Sequence, residues 1–168
     1  LIDTQGSEGA EFRRRIRDLV ALTALPALWI GRRPSAIVDS VADTLLAMLD
    51  VDLVSVHVRS GEAVARTEAV RADPSVVGNR TSAEWLSLLH PLLDQNRPQG
   101  TTTLAIPGAD LDLTAYVVPL GYRNVRGHII IASRRSDIPT QIESTLCQVA
   151  ANEAGIALQE ADLTYRLQ

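Results

Sequence analysis

The chain has 168 residues, of which 46% are hydrophobic and 21% charged, which favours one packed globular domain and excludes a disordered chain. Its net charge of −4 argues against a nucleic-acid binder, which would carry a basic excess. Its lone cysteine, Cys147, gives no disulfide framework and favours a cytoplasmic location, and no apolar run approaches the roughly 20 residues that cross a bilayer.

Two helices are predicted at the start of the chain. Residues 1–10 are small and polar and indicate a flexible lead-in, so that a single domain is expected over 11–168. Apolar residues at helical spacing predict a first helix over 11–25, which Pro26 ends or kinks. A second helix is expected from Pro34, whose missing N–H costs nothing at a first helical position. The apolar face of the first helix comprises Phe12, Ile16, Leu19 and Val20.

A hairpin and a shorter helix follow. Alternation of apolar and polar residues predicts a strand over 54–59, and 62–70 is a second candidate strand. Residues 72–80 are expected to form a loop. The spacing of Thr81 and Glu84 fits a capping box, which predicts a helix carrying Trp85.

Three strands and a long helix are predicted in the second half. The strands cover 101–106, 111–120 and 127–133, and the last is nearly all apolar, which indicates a central position in the sheet. Thr140 and Glu143 have capping-box spacing and open a helix that runs to the end of the chain. One stripe of this helix has only small side chains and is interpreted as a possible surface for a partner: Cys147, Ala150, Ala154, Ala157 and Ala161.

This order of elements predicts an α+β fold. We expect a central antiparallel sheet of five to six strands, with the N- and C-terminal helices on one face and a shorter helix and loops on the other.

Several segments resemble the GAF domain family, which implies an α+β fold of the GAF/PAS-like type. The final helix and the residues before it carry the most specific similarity, in the runs Ile138-Pro139-Thr140-Gln141-Ile142-Glu143 and Ala154-Gly155-Ile156-Ala157-Leu158-Gln159-Glu160-Ala161. Residues 116–120 and 127–131 are similar to the family's central strands, in which a proline–leucine pair is followed by a glycine and an apolar strand. The resemblance covers about residues 11–166.

The resemblance implies a non-catalytic sensory domain of a larger bacterial signalling protein, such as a sensor histidine kinase of a two-component system. Because the sequence begins at Leu1, we interpret it as a segment of such a chain, with an output domain downstream. The family also implies a homodimer formed through the terminal helices. Bilin-binding members carry a cysteine followed by histidine, whereas Gln148 follows Cys147 here. The motifs support neither bilin, haem nor cyclic nucleotide, and the cofactor is left open.

Candidate ligand-binding residues are His57, Trp85 and Tyr116, on the sheet face that the Trp85 helix and the 96–110 loop are expected to cover. No catalytic residue is assigned, and the histidines lack the spacing of metal ligands. Two alternatives to a ligand sensor stay open. One is a ligand-free dimerisation and signal-relay module, and the other is an enzyme with a reactive Ser55 or Cys147.

Overall fold

The computed structural model describes residues 4–60, 65–93, 99–123 and 125–167. These residues form five helices, one 3₁₀ turn and five strands. The helices are α1 (Thr4–Trp29), α2 (Pro34–Met48), α3 (Pro74–Val77), α4 (Ser82–Leu89) and α5 (Gln141–Arg166), and the 3₁₀ turn is His90–Leu92. The strands are β1 (Leu53–Ser60), β2 (Ala65–Ala72), β3 (Gly100–Ile106), β4 (Leu111–Tyr122) and β5 (Val125–Ser133).

The five strands form one antiparallel sheet in the order β2-β1-β5-β4-β3. The apolar strand β5 therefore lies at the centre, as predicted. Residues 62–64 of the predicted second strand and 96–98 of the predicted loop lie outside the described residues.

The long helices α2 and α5 pack on one face of the sheet, and α1 packs against α5 and α2 on the same side. Their apolar side chains meet those strand residues that point to this face, including Val56, Val118 and Ile129. The short helix α4 covers part of the other face, where Trp85 and Leu89 pack against Val117 and Ile130. The fold is thus the predicted α+β arrangement.

Helix α1 differs from its prediction at both ends. It begins at Thr4, so residues 4–10 of the predicted flexible lead-in are helical, and it continues through Pro26 to Trp29. Pro26 has no N–H, so one backbone hydrogen bond of the helix is missing. The last turn is held instead by Trp29, which is buried and donates its indole N–H to Ser40 of α2 at 3.0 Å. Tertiary packing thus overrides the local breaker.

The small-residue stripe of α5 is an internal packing surface. Cys147, Ala150 and Ala154 are buried in the core of this chain, while Ala157 and Ala161 pack against that core. The prediction that this stripe could serve a partner is therefore wrong. Small side chains on α5 instead allow its close approach to the helices and sheet of its own chain.

Two glycines mark such close approaches. A Cβ at Gly127 on β5 would overlap the carbonyl of His57 on the neighbouring strand. A Cβ at Gly155 on α5 would lie 3.3 Å from the Cβ of Tyr122, at the end of β4. Gly127 therefore needs the absence of a side chain, whereas a Cβ at Gly155 would make a tight contact that requires Tyr122 to shift slightly.

The start of α5 is fixed to the sheet by polar contacts. Thr140 and Glu143 complete the predicted capping box, whereas at Thr81 only the half in which its hydroxyl accepts from the N–H of Glu84 is formed. Glu143 also accepts a hydrogen bond from Arg135 at 2.6 Å, and Arg135 donates to the carbonyl of Asp50 at 3.0 Å. These bonds connect α5 to the residues just before β1.

Candidate functional site

A cavity of about 380 Å³ lies on the sheet face that carries α4, beyond the end of that helix. Its floor comes from four strands and its rim from the residues that follow α4. The side chains and backbone that shape it include His57, Arg59, Arg66, Glu68, His90, Leu93, Pro119, Gly121, Arg126 and His128.

The sheet register aligns the polar floor in two cross-strand rows. In the first row His57 lies opposite Glu68 on β2 and opposite His128 on β5, whose other neighbour is Pro119. In the second row Arg59 lies opposite Arg66 on one side and Arg126 on the other, and Gly121 follows. Residues in cross-strand register point to the same face, so both rows face the cavity.

His57 is a buried titratable group of the floor, at 7% exposure. Its Nε2 shares a hydrogen bond with the Ser55 hydroxyl, while its Nδ1 is buried and has no hydrogen-bond partner among the described residues. Burial, reinforced by the charge of nearby His128, lowers the pKa of His57 from 6.5 to about 4. His57 is therefore a neutral imidazole near pH 7, with one ring nitrogen left for another group.

The two side chains considered for an enzyme are both inaccessible. Ser55 is fully buried, and its hydroxyl shares a hydrogen bond with His57. Cys147 is fully buried on the opposite side of the sheet, where burial and the nearby Glu143 raise the pKa of its thiol to about 12. A thiol with that pKa is protonated and a poor nucleophile.

The structure does not bring together the three candidate ligand-binding residues. His57 lines the cavity, but Trp85 is buried in the apolar cluster beneath α4, where the Arg80 guanidinium lies 5.8 Å from its ring centre. Tyr116 points to the opposite face and its hydroxyl contacts Ser144 on α5 at 3.0 Å. Their roles in binding stay predictions, with only His57 placed at the cavity.

Arg66, Glu68 and Arg126 were missed as candidates. Alternation along residues 54–59 places Arg59 on the same face as His57, and it is the one signal in the sequence for this group. The rest depends on the pairing of β1 with both β2 and β5, which the spacing of residues along the chain does not reveal.

Other site types have less support within the described ranges. These residues hold no group of three or more histidine, cysteine or acidic side chains arranged for a metal ion. None of the described helices is long and apolar enough to cross a membrane. The depression at the β3–β4 turn, lined by residues such as Pro107 and Asp110, is open to solvent and shallow.

Comparisons with known proteins support the fold. No protein-family model and no curated protein sequence matches the chain. Among solved structures, it is similar to the GAF domain of a protein assigned as a sensor histidine kinase from Pseudomonas syringae pv. tomato. The TM-score is 0.61 at 18% identity, and the match covers 98% of this chain and 97% of that one.

Two further matches have lower scores. A GAF domain/HD domain protein from Geobacter sulfurreducens gives a TM-score of 0.40 at 14% identity, covering 79% of this chain and 99% of that one. Escherichia coli SdiA gives 0.45 at 12% identity, covering 90% and 68%. The chain has the GAF fold, as the resemblance in its sequence predicted.

Proposed function

We propose that this chain is a non-catalytic sensory domain of a larger signalling protein, which binds a small ligand in the His57 cavity and relays its presence through α5. We further propose that it works in the bacterial cytoplasm, upstream of an output domain such as a histidine kinase.

The cavity itself carries the proposal. Its volume of about 380 Å³ is in the range of small-molecule sites. It combines apolar contacts from Leu93 and Pro119 with convergent polar groups and a strongly perturbed histidine, which together mark a candidate binding site.

A direct path from cavity to helix supports the relay. Gly121 borders the cavity. A Cβ added to Gly155 on α5 would lie 3.8 Å from the carbonyl group of Gly121. Only the thickness of strand β4 therefore separates a ligand at this edge from the helix. If β4 and α5 move together between two conformations, a ligand that binds one of them more tightly shifts the equilibrium towards it. The size of the shift is set by the difference in affinity for the two conformations.

The alternative is a ligand-free dimerisation and relay module, in which the same helices act without an occupant of the cavity. An enzyme is disfavoured because Ser55 and Cys147 are inaccessible and, in the case of Cys147, protonated.

The test is to equilibrate the chain with low-molecular-weight cell extract, separate it from unbound compounds, denature it and identify released compounds by mass spectrometry. Leu93→Trp, which places a large ring in the cavity, should abolish retention. Leu28→Trp adds the same ring on the exposed side of α1 and should leave retention unchanged. A wild-type chain that retains no compound in excess of Leu93→Trp would favour the ligand-free module.

A further inference from the structure

Three arginines lie side by side at one end of the cavity. Arg66, Arg59 and Arg126 occupy directly opposed positions on three adjacent strands and all line the cavity. Like charges in this arrangement destabilise a sheet. The protein as a whole has a net charge of −4, so the concentration of positive charge here runs against its overall composition.

Little within the described residues neutralises this row. The side chains of Arg59 and Arg66 form no ion pair or hydrogen bond with the described residues. The side chain of Arg126 makes only a 3.4 Å hydrogen bond, to the carbonyl of Val125. Glu68 is the one acidic side chain among the cavity-lining residues, against three guanidinium groups. All three arginine side chains are solvent-exposed, so they are accessible to a ligand that enters the cavity.

His57 adds an independent observation at the same place. Its side chain is more than nine-tenths buried, borders the cavity and keeps Nδ1 without a partner. When the Ser55 hydroxyl donates to Nε2, the neutral ring carries its proton on Nδ1 and can donate it to a ligand oxygen. A guanidinium row beside a buried N–H donor matches the acceptor oxygens of an anion.

The apolar part of the cavity limits what else the ligand carries. Leu93 and Pro119 offer nonpolar surface, and the aliphatic stems of the arginines extend it. The volume exceeds what a single inorganic anion fills.

Resting on the proposed ligand-sensing function, we propose that the ligand is an organic anion, with a carboxylate or phosphate held by Arg59, Arg66, Arg126 and the Nδ1 of His57. Its nonpolar body lies against Leu93 and Pro119.

The experiment measures binding of 2-naphthoate, 2-naphthyl phosphate and the neutral isostere 2-naphthamide to the full 168-residue chain by calorimetry. At least one anion should bind at least tenfold more tightly than the amide, and the comparison of the two anions identifies the preferred group. Arg59→Met and Arg66→Met should each weaken that anion roughly 10- to 100-fold, because hydrogen bonds to charged groups are worth about 1.5–3 kcal/mol. Arg32→Met removes the same charge from the exposed turn after α1 and should leave binding unchanged.

Circular dichroism and thermal unfolding of each variant separate lost binding from lost folding. Equal affinities for the amide and the anions, or arginine variants that fold and bind as tightly as wild type, would overturn the inference and leave the sensor proposal standing. Failure of all three probes, combined with only neutral compounds released from the extract-equilibrated chain, would also overturn it. If no probe binds and the chain retains no compound, both the anion inference and the sensor proposal fall.

Discussion

At the scale of single residues, His57 links stability to pH. Its pKa is about 4 in the folded chain and near 6.5 once unfolded. Above pH 6.5 the ring is neutral in both states. As the pH falls from 6.5 towards 4, the unfolded chain takes up a proton that the folded chain does not, so stability declines, and below pH 4 the loss from this group is complete.

Urea unfolding of wild type and His57→Gln at pH 7.5 and pH 5 tests this linkage. Between pH 7.5 and pH 5, the free energy of unfolding should fall by about 2 kcal/mol more in the wild type than in the variant. The comparison between wild type and variant removes the contributions of titrating groups that do not interact with His57. The lost contact with Ser55 changes the stability equally at both pH values. Parallel losses in the two proteins would contradict a depressed pKa for His57.

The placement of single site residues could be predicted only where one face of a strand is polar. In β1, alternation places His57 and Arg59 on one face, and in the structure that face lies away from the long helices. Strand β4 is apolar on both faces, so nothing in its pattern distinguishes Tyr116, which faces α5, from Pro119, which faces the cavity. A side chain can be assigned to a face in such a strand only once its partners are known.

At the scale of elements, the start of α5 depends on Glu143. This carboxylate is 1% exposed, caps the N–H of Thr140 at 2.9 Å and pairs with Arg135. Glu143→Ala removes both bonds and leaves the partly buried guanidinium of Arg135 with fewer partners. The free energy of unfolding should therefore fall by about 3 kcal/mol. Chemical denaturation measures the change.

Glu160→Ala is the matched control because it removes an exposed carboxylate from the same helix, and it should change stability by less than about 0.5 kcal/mol. Glu143→Gln keeps an oxygen for the cap but removes the charge, so it should fall between the two. Equal stability of the Glu143→Ala and Glu160→Ala variants would show that the capping and ion-pair contacts do not hold the helix.

Element types followed from local pattern more reliably than packing did. Periodicity and capping spacing identified the three long helices and the strands, since these signals arise within each element. The role of the small-residue stripe of α5 could not be predicted, because small side chains favour any close approach, whether to a partner or to the chain itself. The small and polar composition of residues 4–10 favours a lead-in, yet these residues form the first turns of α1.

At the scale of the whole molecule, α1 presents an unpartnered apolar stripe. Phe12 and Val20 are 65% and 62% exposed, and Ile16 lies between them at helical spacing. We predict that this stripe, rather than the buried one on α5, forms a homodimer interface at tens of micromolar protein. Light scattering should give a dimer mass for the wild type.

The double variant Phe12→Asp/Val20→Asp should return the mass to that of a monomer, because each copy would bury two charges without partners. Ile30→Asp places the same charge on an exposed residue after α1 and should leave the dimer intact. A monomeric wild type at the highest soluble concentration would refute the prediction.

The last helix, finally, is predicted to act as a lever rather than a cap. It has 26 residues, or about 39 Å at 1.5 Å per residue. Ala161 still packs against the core, whereas Leu163 is 46% exposed and Leu167, just after the helix, is 88% exposed. Inserting one alanine after Ala161 in a parent signalling protein rotates everything beyond it by roughly 100°, and should change both basal output and ligand response. A seven-residue insertion is the matched control, because it lengthens the helix by nearly two whole turns and should largely restore the rotational phase. Output that is unchanged by the single insertion would mean that α5 is a passive tether, since a lever must transmit the orientation of its attached domain.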